Sequence, residues 1–278
     1  MQIGIIQNRP GIGDMCLFLP FIQLIAKKYK KKVIVFTKKR SKAKEVLKYD
    51  PHIKEIFYTD FDFKSKNFFS LIYFLKKFNF DEVYIFAYGI KYPLLFKLAK
   101  SQKIFCYGFL KKNHDIFLDL KNQSTKELNS CVIGIGGSGP TKKWSIKNYK
   151  KLIDVLEERG FVKFIIAGGL DEIKDFNQLL ISLPDTKLIS LCEKSIDESI
   201  DEIAKADLYV GNDTGFMHLS GLCGLKTFGL FGDTPTNYVS YNPIIKPIIP
   251  DGYSEIGHDS NAIDKITVEK VIKDLDLE

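Results

Sequence analysis

Short, nearly continuous apolar runs alternate along this chain with longer stretches whose apolar positions recur every three to four residues. In the first half the runs 2–7, 32–36, 82–86 and 103–106 predict parallel strands buried on both faces. Helices are expected between them over 14–29, 41–49, 65–78 and 91–100. The stretch 121–130 is polar, lacks either period and reads as a linker. The alternation then restarts, with strands at 131–135, 162–167, 187–190, 207–210 and 226–231 and helices at 145–158, 171–182, 196–204 and 214–223. Two such series imply an α/β protein of two doubly wound domains, over 1–125 and 131–262, with 263–278 as a closing helical segment. Ligands of such sheets sit at the carboxyl ends of the strands, so the chemistry belongs in the strand-to-helix loops.

Composition narrows the class. A chain of 278 residues, 45% hydrophobic and 27% charged, has the make-up of a folded protein and room for two ordinary domains. Five scattered cysteines without a CxxC pair argue against a disulfide framework or a zinc site and for a reducing compartment. The amino terminus lacks a basic leader with a long apolar core, so no signal peptide is expected. The longest apolar runs are too short to span a bilayer, which points to a soluble protein. The net charge of +7 is unevenly placed. Residues 1–128 hold 25 Lys and Arg against 11 Asp and Glu, a net +14, while 129–278 hold 16 against 23, a net −7. With 16 of the 22 phenylalanines also lying before residue 118, the halves read either as domains serving different partners, neither of them nucleic acid, or as a genomic lysine bias on a solvated surface.

Three loops carry candidate chemistry. The first contains Arg9, Gly11, Gly13 and Asp14. Asp14 reads either as a plain helix cap or as a catalytic carboxylate; if Pro20 opens the helix, Asp14 stays in the loop. Cys16 stands where a dinucleotide fingerprint needs its third glycine. The second loop matches GxGxxG at Gly134, Gly136 and Gly139, but Pro140 and Lys142-Lys143-Trp144 leave no helix to open there. Asp171 and Glu172 come too late to be the usual ribose carboxylate of that motif. Amides around Gly137, the Ser138 hydroxyl and a charge from Lys142 or Lys143 suit a diphosphate better; the alternative is an exposed basic turn with Trp144 packed on the sheet. In the third loop Asp213 or Thr214 can cap a helix beginning near Gly215, whose free amides attract anions, with His218 one turn along. A lone His there is ordinarily a structural hydrogen bonder. A fourth loop, 231–235, could close over a ligand. No metal site is expected: Asp60/Asp62 and Asp274/Asp276 read as solvated pairs, and the four His are dispersed.

Four blocks taken in order resemble glycosyltransferase family nine, the heptosyltransferases of bacterial lipopolysaccharide assembly. They are GIGDMCLFLPFIQLI (11–25), SGPTKKWSIKNYKKLIDVLEERG (138–160), AGGLDE (167–172) and VGNDTGFMHLSGLCGLKTFGLFGDT (210–234), the last being the most specific. The resemblance implies a GT-B fold, two facing Rossmann-like domains with a cleft between them, and inverting transfer without a metal or other cofactor. The first domain would take an anionic lipid-linked glycan acceptor and the second a nucleotide-sugar, with ADP-heptose expected. By matching position Asp14 would be the general base and Lys142 the diphosphate lysine, with Ser138 beside it. Asp171 or Glu172 would face the ribose; Asp213, Thr214 and Gly215 would hold sugar and diphosphate, supported by His218; and the base would pack on 191–195. The enzyme would work in the cytoplasm, on the inner face of the inner membrane, with the Phe- and Lys-rich stretch 61–80 as an interfacial helix. The chain departs from the family in being short, in Lys143 where relatives carry Arg or His, and in Asp233 where a Pro is common. A nucleotide-sugar epimerase, an NAD-dependent enzyme and a non-catalytic member of the same fold are the competing readings.

Overall fold

The computed structural model describes residues 1–59, 68–87, 91–106 and 129–276. Those up to 106 form one compact unit and those from 129 another.

The first unit is a parallel five-stranded sheet of β1 (Ile3–Gln7), β2 (Val33–Thr37), β3 (Ile53–Tyr58), β4 (Glu82–Phe86) and β5 (Lys103–Cys106), ordered β3-β2-β1-β4-β5. Helices α1 (Ile12–Tyr29), α2 (Ala43–Val46), α3 (Phe68–Lys76) and α4 (Lys91–Leu98) connect the strands. Strands β1, β2 and β4 are buried at every position, as their unbroken apolar runs require. Strand β3 was missed by period because it exposes Lys54 and Glu55 at the sheet edge, where one row of side chains meets water. The phenylalanine excess has a packing explanation here: Phe36 is ringed by Phe57, Phe78, Phe80 and Phe96 at centroid distances of 5.5–6.2 Å. Pro20 does not open α1 but lies in its interior, so Asp14 belongs to the first helical turn and not to the loop.

The second unit carries β6 (Ser130–Gly134), β7 (Lys163–Ala167), β8 (Leu188–Ser190), β9 (Leu208–Asn212), β10 (Lys226–Leu230) and β11 (Ile245–Ile248), all parallel and ordered β11-β10-β9-β6-β7-β8. Its helices are α5 (Ile146–Glu158), α6 (Ile173–Ser182), α7 (Ile196–Ile203), α8 (Gly215–Leu222) and α9 (Val268–Leu275). Strand β11 was hidden by Pro247, which a sheet tolerates at an edge where no ladder donor is needed. The expected closing helix resolves into a short 3-10 turn, Ile263–Lys265, then α9, which starts where Thr267 Oγ1 accepts the Lys270 amide at 3.1 Å. Helix α9 sends Val268, Val271 and Leu275 into the core that α5 also fills.

Both sheets therefore have the doubly wound order in which strand direction of addition reverses beside the first strand. In the second unit that reversal falls between β6 and β9, where Gly134 sits opposite Gly211. Neither position has room for a methyl group: a Cβ on Gly134 would overlap the Tyr209 hydroxyl, and one on Gly211 would overlap the Gly134 backbone. The literal GxGxxG match thus begins with a glycine kept for packing between strands. Gly134→Ala should lower unfolding free energy by about 2 kcal/mol or more, as overpacked cores do. Gly139→Ala, in extended backbone with nothing within 4 Å of the new Cβ, should change it by less than about 0.5 kcal/mol. Denaturant titration of the two variants measures both values.

Candidate functional site

The end of β9 is fastened to the end of β6 by one side chain. Asn212 is completely buried. Its amide donates to the carbonyls of Ile135 (3.0 Å) and Gly136 (2.9 Å), and its Oδ1 accepts the Trp144 backbone N–H at 3.0 Å. The Tyr149 hydroxyl lies 2.8 Å from the same Oδ1 and 2.7 Å from the Gly134 carbonyl. Every donor and acceptor of the amide is occupied, so the loop after β6, the start of α5 and the loop after β9 are held in one register. Trp144 is buried, its Nε1 donates to the Ile266 carbonyl at 2.8 Å, and its ring meets Tyr149 edge-on at 5.1 Å.

Around this clamp the sequence candidates fall into distinct states. Ser138 is exposed, while Gly137 and Lys142 are half-buried beside the 3-10 turn Pro140–Lys142. The two lysines separate cleanly. Lys143 Nζ lies 2.5 Å from Glu172 Oε1, and the other Glu172 oxygen accepts the Gly169 amide at 2.7 Å. That hydrogen bond to Glu172 holds the Lys143 ammonium above its ordinary pKa. Glu172 is therefore buried and bonded through both oxygens, whereas its neighbour Asp171 is exposed. Lys142 instead lends its charge to Asp233. The Asn261 amide and the Thr141 hydroxyl, at 3.1 and 2.8 Å, bond the Asp233 carboxylate and hold it below the usual carboxylate range. The fourth loop is tied by this carboxylate to the loop after β6.

The third loop opens α8 differently from expectation. Thr214 occupies the N-cap, but its side chain makes no cap bond, and α8 begins at Gly215. The first amides of the helix are left to an anion or to water. His218 is buried, with Nδ1 2.7 Å from the Tyr241 hydroxyl and its ring stacked on Tyr241 at 5.7 Å. Its Nε2 lies 3.9 Å from Asp213 Oδ1. Leu191 and Cys192, expected to meet the base, are buried after β8.

In the first unit Asp14 closes the turn that opens α1. Its Oδ2 accepts the Gly11 amide at 3.2 Å, and its Oδ1 lies 3.6 Å from the Arg9 guanidinium. A Cβ at residue 11 would stand 2.8 Å from Oδ2, so Gly11 leaves space for the carboxylate; Gly13 follows as the second residue of the helix. Asp14 keeps 29% of its side chain in solvent, enough to reach a ligand. Across the same end of this sheet the Asn8 amide bonds the Tyr92 hydroxyl.

Among the described residues no three His, Cys, Asp or Glu side chains group as a metal site would need. Asp274 is engaged by Lys270 at 2.7 Å, and Asp60–Asp62 lie outside the described residues. Sequence reading passed over Asn212, Tyr149, Tyr241 and Asn261. The available signal was a lone amide ending an apolar strand directly before Asp-Thr-Gly.

The glycosyltransferase family 9 (heptosyltransferase) model matches residues 99–249. The lipooligosaccharide heptosyltransferase 2 of Haemophilus ducreyi is 28% identical over 153 residues, 49% of this chain and 43% of that protein. The match thus spans less than half the length of that curated relative. Among solved structures, the Escherichia coli ADP-heptose lipopolysaccharide heptosyltransferase II superposes with a TM-score of 0.77 at 17% identity, covering 99% of this chain and 97% of that one. The E. coli heptosyltransferase WaaC with ADP gives 0.76 at 14% identity and 99% coverage of both. Likeness at this level establishes a shared GT-B fold.

Two outcomes follow from the clamp and the ion pair. Asn212→Ala should lower unfolding free energy by at least about 3 kcal/mol, because it strands several buried donors and acceptors at once. Lys143→Met should lose stability at neutral pH. A lysine whose pKa is raised by folding stabilises fully below its ordinary pKa and ceases to as pH climbs through the raised value. The gap between Lys143→Met and the unaltered chain should therefore close above about pH 10.5. Thermal unfolding across the alkaline range reads this directly.

Proposed function

Since this chain belongs to glycosyltransferase family 9, we propose that it transfers a sugar from a nucleotide-sugar, with ADP-heptose as the expected donor, to a hydroxyl of an anionic lipid-linked glycan. The observation that carries this reading is the Asn212 clamp, which holds a Ser/Lys loop and an uncapped helix N-terminus side by side at the switch point of the second sheet. The names of the relatives support heptose and a lipopolysaccharide-type acceptor, and the presence of ADP on WaaC supports the nucleotide.

In the proposed reaction the acceptor oxygen attacks the anomeric carbon while the bond from that carbon to the diphosphate breaks. The acceptor proton passes to the Asp14 carboxylate. The leaving group departs as the nucleoside diphosphate, its growing negative charge met by Lys142 and the amides at Gly215, so no metal is needed for charge balance. Attack opposite the leaving group inverts the anomeric centre. Asp213, with His218 nearby, would bond the sugar hydroxyls. Asp171 is the carboxylate open to the ribose, since both Glu172 oxygens are bonded within the protein. Gly11 keeps the Asp14 carboxylate in place from one side and Arg9 from the other.

Asp14→Ala should lower transfer by about 10²–10⁴-fold, the usual loss for a general base, with donor affinity unchanged within about a factor of two. A transfer assay with ADP-heptose and a lipopolysaccharide-core acceptor, paired with a donor titration, gives both values. Transfer above about a tenth of the unaltered rate would remove Asp14 from the role.

A further inference from the structure

The net +14 of the first half is not concentrated on the interfacial helix expected over 61–80: Ile72, Leu75 and Phe80 of that stretch are core, and residues 61–67 lie outside the described residues. Its densest run is 27–32, five lysines in six residues, where α1 ends and β2 begins. Lys30 turns left-handed (φ 52°), and the amides of Lys30 and Lys31 close onto the Lys27 and Ala26 carbonyls at 3.1 and 3.0 Å. The chain doubles back there, and Lys27, Lys30, Lys31 and Lys32 line one cavity of about 360 Å³. Like charges so gathered repel one another, and the lining holds no Asp or Glu to offset them. Among the described residues none of these four ammonium groups is ion-paired.

His52 enters the same lining and is held by the backbone and by a buried acid. Its carbonyl accepts the Val33 amide at 2.9 Å. Asp50 Oδ1 accepts the His52 backbone amide at 2.8 Å and lies 3.0 Å from Nδ1, while Asp50 Oδ2 accepts the Gln23 side-chain amide of α1 at 2.9 Å. Asp50 is buried and bonded through both oxygens, and Nδ1 is committed to it, which leaves Nε2 as the ring atom open to a ligand. An imidazole fixed beside four lysines suits phosphate oxygens. Two phosphate groups carry about −3 to −4 together, which matches four ammonium groups, and the volume is that of a small-ligand cavity.

We propose that this cavity binds a small soluble molecule carrying two phosphate groups. Lys27 stands about 20 Å along the α1 axis from Asp14, so the cavity is separate from the place where an acceptor would be deprotonated. A lipid headgroup shares the phosphate chemistry, but Ala26 and Pro51 are the apolar members of the lining, and no aromatic or leucine side chain stands there to enter a bilayer. The soluble source therefore fits the cavity better.

Calorimetric titration of fructose 1,6-bisphosphate into the full chain at low salt tests this. Saturable binding is expected, about ten-fold or more tighter than that of fructose 6-phosphate, which lacks one charge-assisted contact. Lys31→Glu with Lys32→Glu should weaken it by about ten-fold or more and keep the thermal transition of the unaltered chain, because both positions are exposed. Lys142→Met should leave it unchanged. His52 is one of four histidines, and its ring resonance, identified by its loss in His52→Gln, should shift as the probe is added. The unaltered chain is read first with both sugar phosphates and by resonance, so the idea is exposed to failure even if a variant misfolds. No binding of the bisphosphate, equal affinity for the monophosphate or an unmoved His52 resonance would overturn it. Binding lost in Lys142→Met and kept in the Lys31/Lys32 variant would overturn it too, since the phosphates would then sit at the loop after β6. So would retention on phosphatidylglycerol vesicles by a chain that ignores the soluble probe. The titration involves neither sugar donor nor acceptor, so this proposal and the proposed transfer reaction fail separately.

Discussion

Two parallel strands that adjoin at a switch point send their chains away in opposite directions, so the loops that leave them have no ladder to hold them together. In the second unit a single buried amide supplies that connection. Asn212 ends β9, yet its side-chain hydrogen bonds all go to the chain after β6 and to the start of α5. An unsatisfied amide in that position would be expensive, and a satisfied one fixes register, because every partner must be present at once. The glycine pair Gly134 and Gly211 belongs to the same arrangement: it lets β6 and β9 close around Tyr209, whose hydroxyl donates to the Asn212 carbonyl at 3.0 Å.

From this fixed floor the remaining parts of the candidate site are reached by short polar links. Asp233 ties the loop after β10 to Thr141, and Glu172 ties the loop after β7 to Lys143. On the other side the Tyr241 hydroxyl bonds His218, whose Nε2 lies 3.9 Å from Asp213. Charge that could meet a phosphate is thereby sorted: Lys143 is paired with a buried carboxylate, while Lys142 remains half-buried near an exposed turn. A unit with a net charge of −7 does not need a broad positive field to take a diphosphate if a lysine and a helix N-terminus are placed together.

Much of this was legible beforehand where a pattern has one physical cause. Strands buried on both faces, such as Val33–Thr37 and Leu208–Asn212, announce themselves as apolar runs. The edge strands Ile53–Tyr58 and Ile245–Ile248 did not, since exposure and Pro247 erase the signal. The motif loops were visible as loops: Asp213 directly follows β9 and Lys142 lies in the 3-10 turn after β6, while Asp14 stands in the first turn of α1. What spacing could not reveal was partnership. Lys142 and Lys143 are adjacent and chemically alike, and only the fold decides which meets Glu172. Pro20 misled because proline is favoured at helix starts, whereas here the first turn is held by Asp14 on the Gly11 amide.

The central claim is that the loops gathered by Asn212 form a nucleotide-sugar site whose positive charge is Lys142. Calorimetric titration of ADP-heptose into the full chain in the presence of a metal chelator tests it most directly. The account predicts saturable one-to-one binding that weakens by about ten-fold or more in Lys142→Met, as loss of a charge-assisted contact to phosphate should. Equal affinity in the two proteins, or no binding to either, would contradict it.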